Sequence, residues 1–154
     1  MAKFENAKWI RRGQECTGAA TVFQKTFSVS EDSTTALLQA TSLGIYEVFV
    51  NGVRVGEDYF APGWTSYQKR LQYQVYDVTD LLKKGENMLE IHVARGWCTK
   101  RFAMGHNNPP TTNPELLAVL RICYSDGSTT VIGTAEDWLA GEGPVLSLIH
   151  ILSP

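Results

Sequence analysis

The 154-residue sequence predicts an all-β domain, a β-sandwich or jelly roll that carries one short helix. Three observations carry that expectation. Short runs with apolar residues at alternate positions recur about every ten residues, the spacing of strands joined by tight turns. Asn51-Gly52 falls directly between two such runs, and Asn-Gly suits a two-residue hairpin that needs positive φ at both central positions. Thirteen glycines and six prolines supply turns, while no period of about 20 to 50 residues repeats.

Residues 4–10 carry alternating bulk ending in Trp9-Ile10, a segment expected to lie on the body of the domain. A polar loop over 11–20 leads into the first strand, Thr21–Val29, with Phe23, Phe27 and Val29 on one face. After a turn at 31–33, strands are expected at 36–41 and Ile45–Val50, and Val53–Val55 returns from the Asn-Gly turn to stop at Gly56. The next stretch, 59–77 (YFAPGWTSYQKRLQYQVYD), holds six aromatic residues, Tyr59, Phe60, Trp64, Tyr67, Tyr73 and Tyr76. Pro62-Gly63 divides it into an aromatic loop and an extended run, in which Leu71, Tyr73 and Val75 alternate with Gln72, Gln74 and Tyr76. That alternation places Tyr73 and Val75 towards the core.

Residues 77–85 read as one or two helical turns. Asp77 or Thr79 can cap the free amides, Lys83 and Lys84 sit at the negative end, and Gly85 terminates the turn. Residues 88–94 form a strand with Leu89, Ile91 and Val93 inward, closing at Gly96-Trp97. Residues 99–114 are irregular, a long surface loop. The run 116–124 is apolar on both faces and is therefore expected at the centre of a sheet. Ser125-Asp126-Gly127-Ser128 turns the chain into a strand over 129–132, and Glu136-Asp137-Trp138-Leu139 opens the last one.

Bulk properties narrow the function. A chain of this length makes one domain with a self-sufficient core. A net charge of −2 argues against nucleic-acid binding, which needs a basic face to displace counterions from phosphate. No apolar run approaches the roughly 20 residues that span a bilayer, so no membrane role is expected. The N-terminal MAKFENAKWIRR has no apolar signal core, and three scattered cysteines, Cys16, Cys98 and Cys123, read as reduced thiols of a cytoplasmic protein.

Catalytic patterns are lacking: there is no nucleophile elbow, P-loop, dinucleotide fingerprint or paired-histidine metal motif. Glu57-Asp58 and Glu136-Asp137 are adjacent carboxylates that a strand would point to opposite faces, so neither pair can flank a glycosidic bond. His92 in an apolar strand is a satisfied or outward-facing side chain, and His106 stands alone in the long loop. Trp64 and Trp97 each follow a glycine at the end of a strand-like run, where loops gather at a sandwich end. With Tyr67 they could plug the sandwich edge, or form a platform for sugar rings with Asn51, Arg70 and Asn107 as polar partners. Both readings stay open at this point.

The ordered motifs resemble one family, the N-terminal β-sandwich of bacterial α-L-rhamnosidases. They run FENAKWI (4–10), FQKTF (23–27), GIYE (44–47), NGVRVG (51–56), APGWT (61–65) and Arg70. YQVYDVT (73–79), GEN (85–87), GW (96–97) and the later Tyr124, DGST (126–129) and Asp137-Trp138 complete the pattern. The resemblance implies a galactose-binding-like jelly roll. It also implies a parent enzyme that hydrolyses terminal α-L-rhamnose from glycosides by inversion, using acidic residues of an (α/α)6 barrel further along. That barrel is the implied partner, calcium and rhamnose-containing glycosides are the implied ligands, and the module alone is expected to be inactive. The chain departs from the pattern at Cys98, where relatives carry Tyr after Gly-Trp, and after residue 146. Residues 1–146 are thus expected to be the module and 147–154 (SLIHILSP) an adaptor-like, non-native tail. The implied role is an accessory module packed on the barrel; the alternatives are a stand-alone carbohydrate-binding module and a purely structural packing domain.

Overall fold

The structure is a computed structural model, and it describes residues 4–13, 20–30, 33–67, 69–97 and 113–143. Ten strands follow in order among those residues: β1 (Ile10–Arg11), β2 (Thr21–Val29), β3 (Ser33–Leu43), β4 (Ile45–Val50), β5 (Val53–Val55), β6 (Gln74–Asp77), β7 (Gly85–Ala94), β8 (Glu115–Tyr124), β9 (Thr129–Gly133) and β10 (Leu139–Glu142). They form two antiparallel sheets. One runs β1-β8-β3-β6 with β9 also on β8; the other runs β10-β2-β7-β4-β5.

The inner faces meet as alternation requires. Phe23, Phe27 and Val29 of β2, Leu89, Ile91 and Val93 of β7, and Val48 and Val50 of β4 pack against Ala36, Leu38 and Ala40 of β3 and Leu116, Leu120 and Ile122 of β8. Fully burying each large side chain contributes about 1.5–3 kcal/mol. Strand β8 lies between β3 and the β1 and β9 edge, which explains its two apolar faces. The hairpin also forms as expected: Asn51 has φ 51° and Gly52 φ 80°.

The N-terminal segment does lie on the body. Lys8 N donates to the Thr134 carbonyl at 2.8 Å, the Arg121 guanidinium pairs with Glu5 at 3.3 Å, and the Phe4 ring meets Tyr73 edge-on at 5.6 Å. Gly133 makes room for it, since a Cβ there would sit 2.7 Å from the Asn6 carbonyl oxygen.

Two expectations change. The helix after Asp77 is a single 3₁₀ turn, Thr79–Leu81. The Asp77 carboxylate accepts from the Thr79 amide at 3.0 Å and its hydroxyl at 2.5 Å, and these bonds hold its pKa below the usual range. More consequentially, the inward face of β6 is reversed. Val75 is 50% exposed, while Tyr76 packs on the core. The register sets this: Tyr76 stands opposite Leu38, which is fully buried, and Val75 opposite Gln39. The apolar alternation gave the wrong phase because this edge strand closes the sandwich with polar inward side chains. Most of the expected loops over 11–20 and 99–114, and the boundary at 146 with its tail, lie outside the described residues.

Candidate functional site: an aromatic shelf at one end of the sandwich

At the end of the sandwich where β4 begins and β7 ends, Ala20, Ile45 and Ala94 form a small satellite cluster that Phe60 and Trp97 cover. Trp97 leaves β7 through Gly96. A Cβ on Gly96 would lie 2.9 Å from Ile45 Cγ2 and 3.0 Å from the Gly44 carbonyl carbon, so only glycine lets the chain pass this close. The 61–65 loop then brings Trp64 over Trp97. Their rings are nearly parallel, 13° apart with centroids 6.4 Å apart, while Phe60 meets Trp97 edge-on at 5.7 Å. Both geometries suit the quadrupoles of aromatic rings. Trp64 remains 65% exposed, so it is no plug. A three-ring shelf results, with Phe60 and Trp97 half-buried and Trp64 open to solvent.

The loop that carries the shelf is pinned from below. Tyr46 N donates to the Ala61 carbonyl at 2.9 Å, and Gln74 Nε2 donates to the Pro62 carbonyl at 3.3 Å. The Tyr46 hydroxyl lies 2.6 Å from Gln74 Oε1 and 3.0 Å from the Ala40 carbonyl, one proton serving two acceptors. Burial pushes the Tyr46 phenol far above its ordinary pKa, and the neighbouring Tyr76 hydroxyl and Asp58 charge raise it further. Burial raises Tyr76 as well, so both stay neutral and serve as hydrogen-bonding struts. The Ala61-Pro62 peptide is cis, and Phe60 sits at φ 58°, a left-handed conformation that costs a non-glycine residue about 1–2 kcal/mol. Arg54 fixes the approach to the loop. Its guanidinium donates to Glu47 at 3.2 Å, to the Gly56 carbonyl at 2.7 Å and to the Asp58 carbonyl at 2.9 Å, and it lies over the Tyr59 ring.

Of the five candidate sugar contacts, the structure brings together Trp64 and Trp97, with Tyr67 nearby: its hydroxyl donates to the Gly63 carbonyl at 3.3 Å. Arg70 is exposed, and its carbonyl accepts from the Thr65 hydroxyl at 2.6 Å, so it belongs to the same loop. Asn51 does not join them. It sits at the far end of β4, where its Nδ2 donates to the Leu81 carbonyl at 2.8 Å and Asn87 Oδ1 at 2.9 Å, and its Oδ1 accepts from Met88 N at 3.0 Å. Asn107 lies outside the described residues.

A family profile described as the alpha-L-rhamnosidase N-terminal domain matches residues 31–149. The chain belongs to this family. An alpha-L-rhamnosidase of Streptomyces avermitilis is 46% identical over 112 residues, which is 73% of this chain and 11% of that protein. The crystal structure of a Streptomyces avermitilis alpha-L-rhamnosidase complexed with L-rhamnose superposes with TM-score 0.77 at 42% identity, covering 84% of this chain and 13% of that one. The native alpha-L-rhamnosidase of Aspergillus terreus gives TM-score 0.81 at 36% identity, over 92% of this chain and 17% of the other. The chain thus spans roughly a tenth of the length of the curated relatives it matches.

Within this rhamnosidase domain the sequence had missed Phe60 and the struts Tyr46, Gln74 and Arg54. Phe60 carried a signal, since it immediately precedes the APGWT motif; Gln74 carried none, because its use depends on the reversed face of β6. Among the described residues no three His, Cys, Asp or Glu side chains converge as a metal site. Glu57 and Asp58 are exposed, and Asp137 is paired with Lys25. His92 stacks on Phe49 at 4.7 Å on the outer face of its sheet, and burial lowers its pKa.

Proposed function

We propose that this domain is the accessory module of an enzyme that hydrolyses terminal α-L-rhamnose from rhamnose-containing glycosides, and that the Trp64–Trp97 shelf receives the sugar. The observation that carries this is Trp64 itself. Its ring is 65% exposed yet held parallel to Trp97 by a loop with hydrogen-bonded struts. Core packing accounts for Phe60 and Trp97 but gives no reason to hold an indole open in water. A flat ring fixed in that way suits the CH-rich face of a deoxy sugar. Burying about 100 Å² of apolar surface contributes about 2.5 kcal/mol and stacking about 1.5 kcal/mol, which together correspond to a Kd on the order of 1 mM. The S. avermitilis relative was crystallised with L-rhamnose, which supports rhamnose as the ligand class.

Hydrolysis is assigned to a separate catalytic domain of the parent, for which the family resemblance implies an (α/α)6 barrel. This chain alone is expected to leave an aryl α-L-rhamnoside untouched; turnover by the pure chain would contradict that. The test of the shelf is tryptophan fluorescence during titration with L-rhamnose, with and without calcium. A saturable change is expected, and flat traces in both conditions would sink the proposal. A cytoplasmic setting is also proposed, supported by the free thiol of Cys123. Thiol titration without reductant is expected to return all three cysteines; a lower count speaks against it.

One observation favours a second, structural reading. Leu37, Leu117 and Val75 lie half-buried or exposed on the outer face of the β3-containing sheet, where a solvent-facing sheet carries polar residues. That face suits packing against another domain of the parent. Leu117→Glu should leave this chain's melting curve in place and weaken its association with the catalytic domain; unchanged association would rule the reading out.

A further inference from the structure

We infer that the seam between β1 and β10 holds a second carbohydrate site, sized for one neutral pyranose ring. Ile10 and Arg11 of β1, Phe23, Glu136, Trp138 and the indole of Trp9 surround a cavity of about 330 Å³. This is the small end of the range for ligand pockets, room for one sugar ring and not for an extended chain. The lining divides by chemistry. Phe23 is 1% exposed and forms the floor, and Trp138 is buried with its Nε1 donating to the Gly133 carbonyl at 3.0 Å. Trp138 therefore offers the cavity its ring and not its N–H. Trp9 is 41% exposed and makes no hydrogen bond or ring contact with a described residue, so its indole presents both a face and a donor.

Polar groups stand at the rim. Glu136 is exposed and pairs with no described residue, although its neighbour Asp137 is tied to Lys25 of β2 and anchors the turn that carries both. The Arg11 guanidinium lies 3.9 Å from Glu115, too far for a hydrogen bond, and keeps donors for a ligand. One carboxylate accepting and one guanidinium donating beside an aromatic wall match vicinal hydroxyls on a ring with an apolar face. Glu136 and the Glu115 beside Arg11 together outweigh the one guanidinium, which disfavours an anionic ligand. The site is independent of the Trp64–Trp97 shelf in residues and position, and shares with the proposed function only the premise that this domain meets glycosides.

Ligand-observed NMR on the 154-residue chain with L-rhamnose and, separately, methyl β-D-galactoside tests it, using native protein, Trp9→Ala, Glu136→Gln and Trp64→Ala. Saturable binding of either sugar is expected, with Kd raised at least tenfold by Trp9→Ala and at least threefold by Glu136→Gln, and a component unchanged in Trp64→Ala. If Trp9→Ala fails to fold by circular dichroism, Glu136→Gln and Arg11→Gln decide. Binding that both Trp9→Ala and Glu136→Gln leave intact overturns the seam site. Loss in Trp64→Ala alone assigns the sugar to the shelf and overturns it equally. Loss in the seam variants alone upholds the seam and removes the shelf, while no binding by native protein refutes both.

Discussion

Replacing Asn51 by alanine separates a structural asparagine from a sugar ligand. Its side chain makes three hydrogen bonds, to Leu81, Asn87 and Met88, and these lock the β4–β5 turn to the 3₁₀ turn and the start of β7. Asn87 is 1% exposed and also accepts from Lys83 N at 2.9 Å, so losing Asn51 strips a partner from a buried amide. At about 1 kcal/mol net for each bond, the loss is roughly 3 kcal/mol. Alanine at φ 51° adds about 1 kcal/mol more, because a Cβ is disfavoured in the left-handed region. The total of roughly 4 kcal/mol corresponds to a fall in Tm of about 8–16 °C for a chain of this size. Asn51→Gly keeps the backbone at ease and should cost about 1 kcal/mol less, which isolates the side-chain term. Urea denaturation of the three proteins measures both differences. A loss below about 1 kcal/mol for Asn51→Ala, or full stability with weakened rhamnose binding, would refute the structural role.

The remaining predictions follow from the same contacts. Trp64→Ala should change stability by less than about 1 kcal/mol, because its ring is largely exposed, in contrast to the 3–5 kcal/mol of buried aromatic truncations; a larger loss in urea denaturation would make it a packing residue. Gly96→Ala should cost about 1–3 kcal/mol and weaken the near-ultraviolet signal of the Trp64–Trp97 pair, since its Cβ meets Ile45 and Gly44 at 3.0 Å or less. Val75→Thr should be neutral within about 0.5 kcal/mol and Tyr76→Ala should cost about 2–4 kcal/mol; the reverse order in thermal melts would restore the original phase of β6. Burial depresses the His92 pKa, so its neutral form favours the fold: that stability is present above the unfolded value near 6.5 and is lost as pH falls through the lower folded value. Urea midpoints should therefore fall more between pH 7.5 and 5.5 in the native chain than in His92→Gln, and equal slopes would contradict this.

Much of the fold was legible because local rules and tertiary context agree. Thr21–Val29, Ile45–Val50 and Val53–Val55 have the bounds the alternation and turn residues imply, and the Asn51-Gly52 turn takes the φ values its side chains favour. β6 was misread for a physical reason. Its inward residues Gln74 and Tyr76 are satisfied by hydrogen bonding with groups such as Tyr46, which lies distant in sequence, so hydrophobic alternation carries no information about which way they face. At the site, glycine before tryptophan marked both Trp64 and Trp97, but their stacking depends on two loops meeting in space. Asn51 stands apart from the shelf, a placement the sequence did not show, because a polar side chain at a hairpin looks the same in sequence whether it faces a sugar or caps a neighbouring turn.

The central claim is that sugar meets the shelf, and the indole N–H resonances of the four tryptophans report on it directly. During titration of the labelled chain with L-rhamnose, the Trp64 and Trp97 signals are expected to move together along one saturable curve, and the Trp97 signal to lose that movement in Trp64→Ala. If those two signals stay in place while rhamnose reaches about 10 mM, about tenfold above the expected Kd, the shelf is not a sugar site.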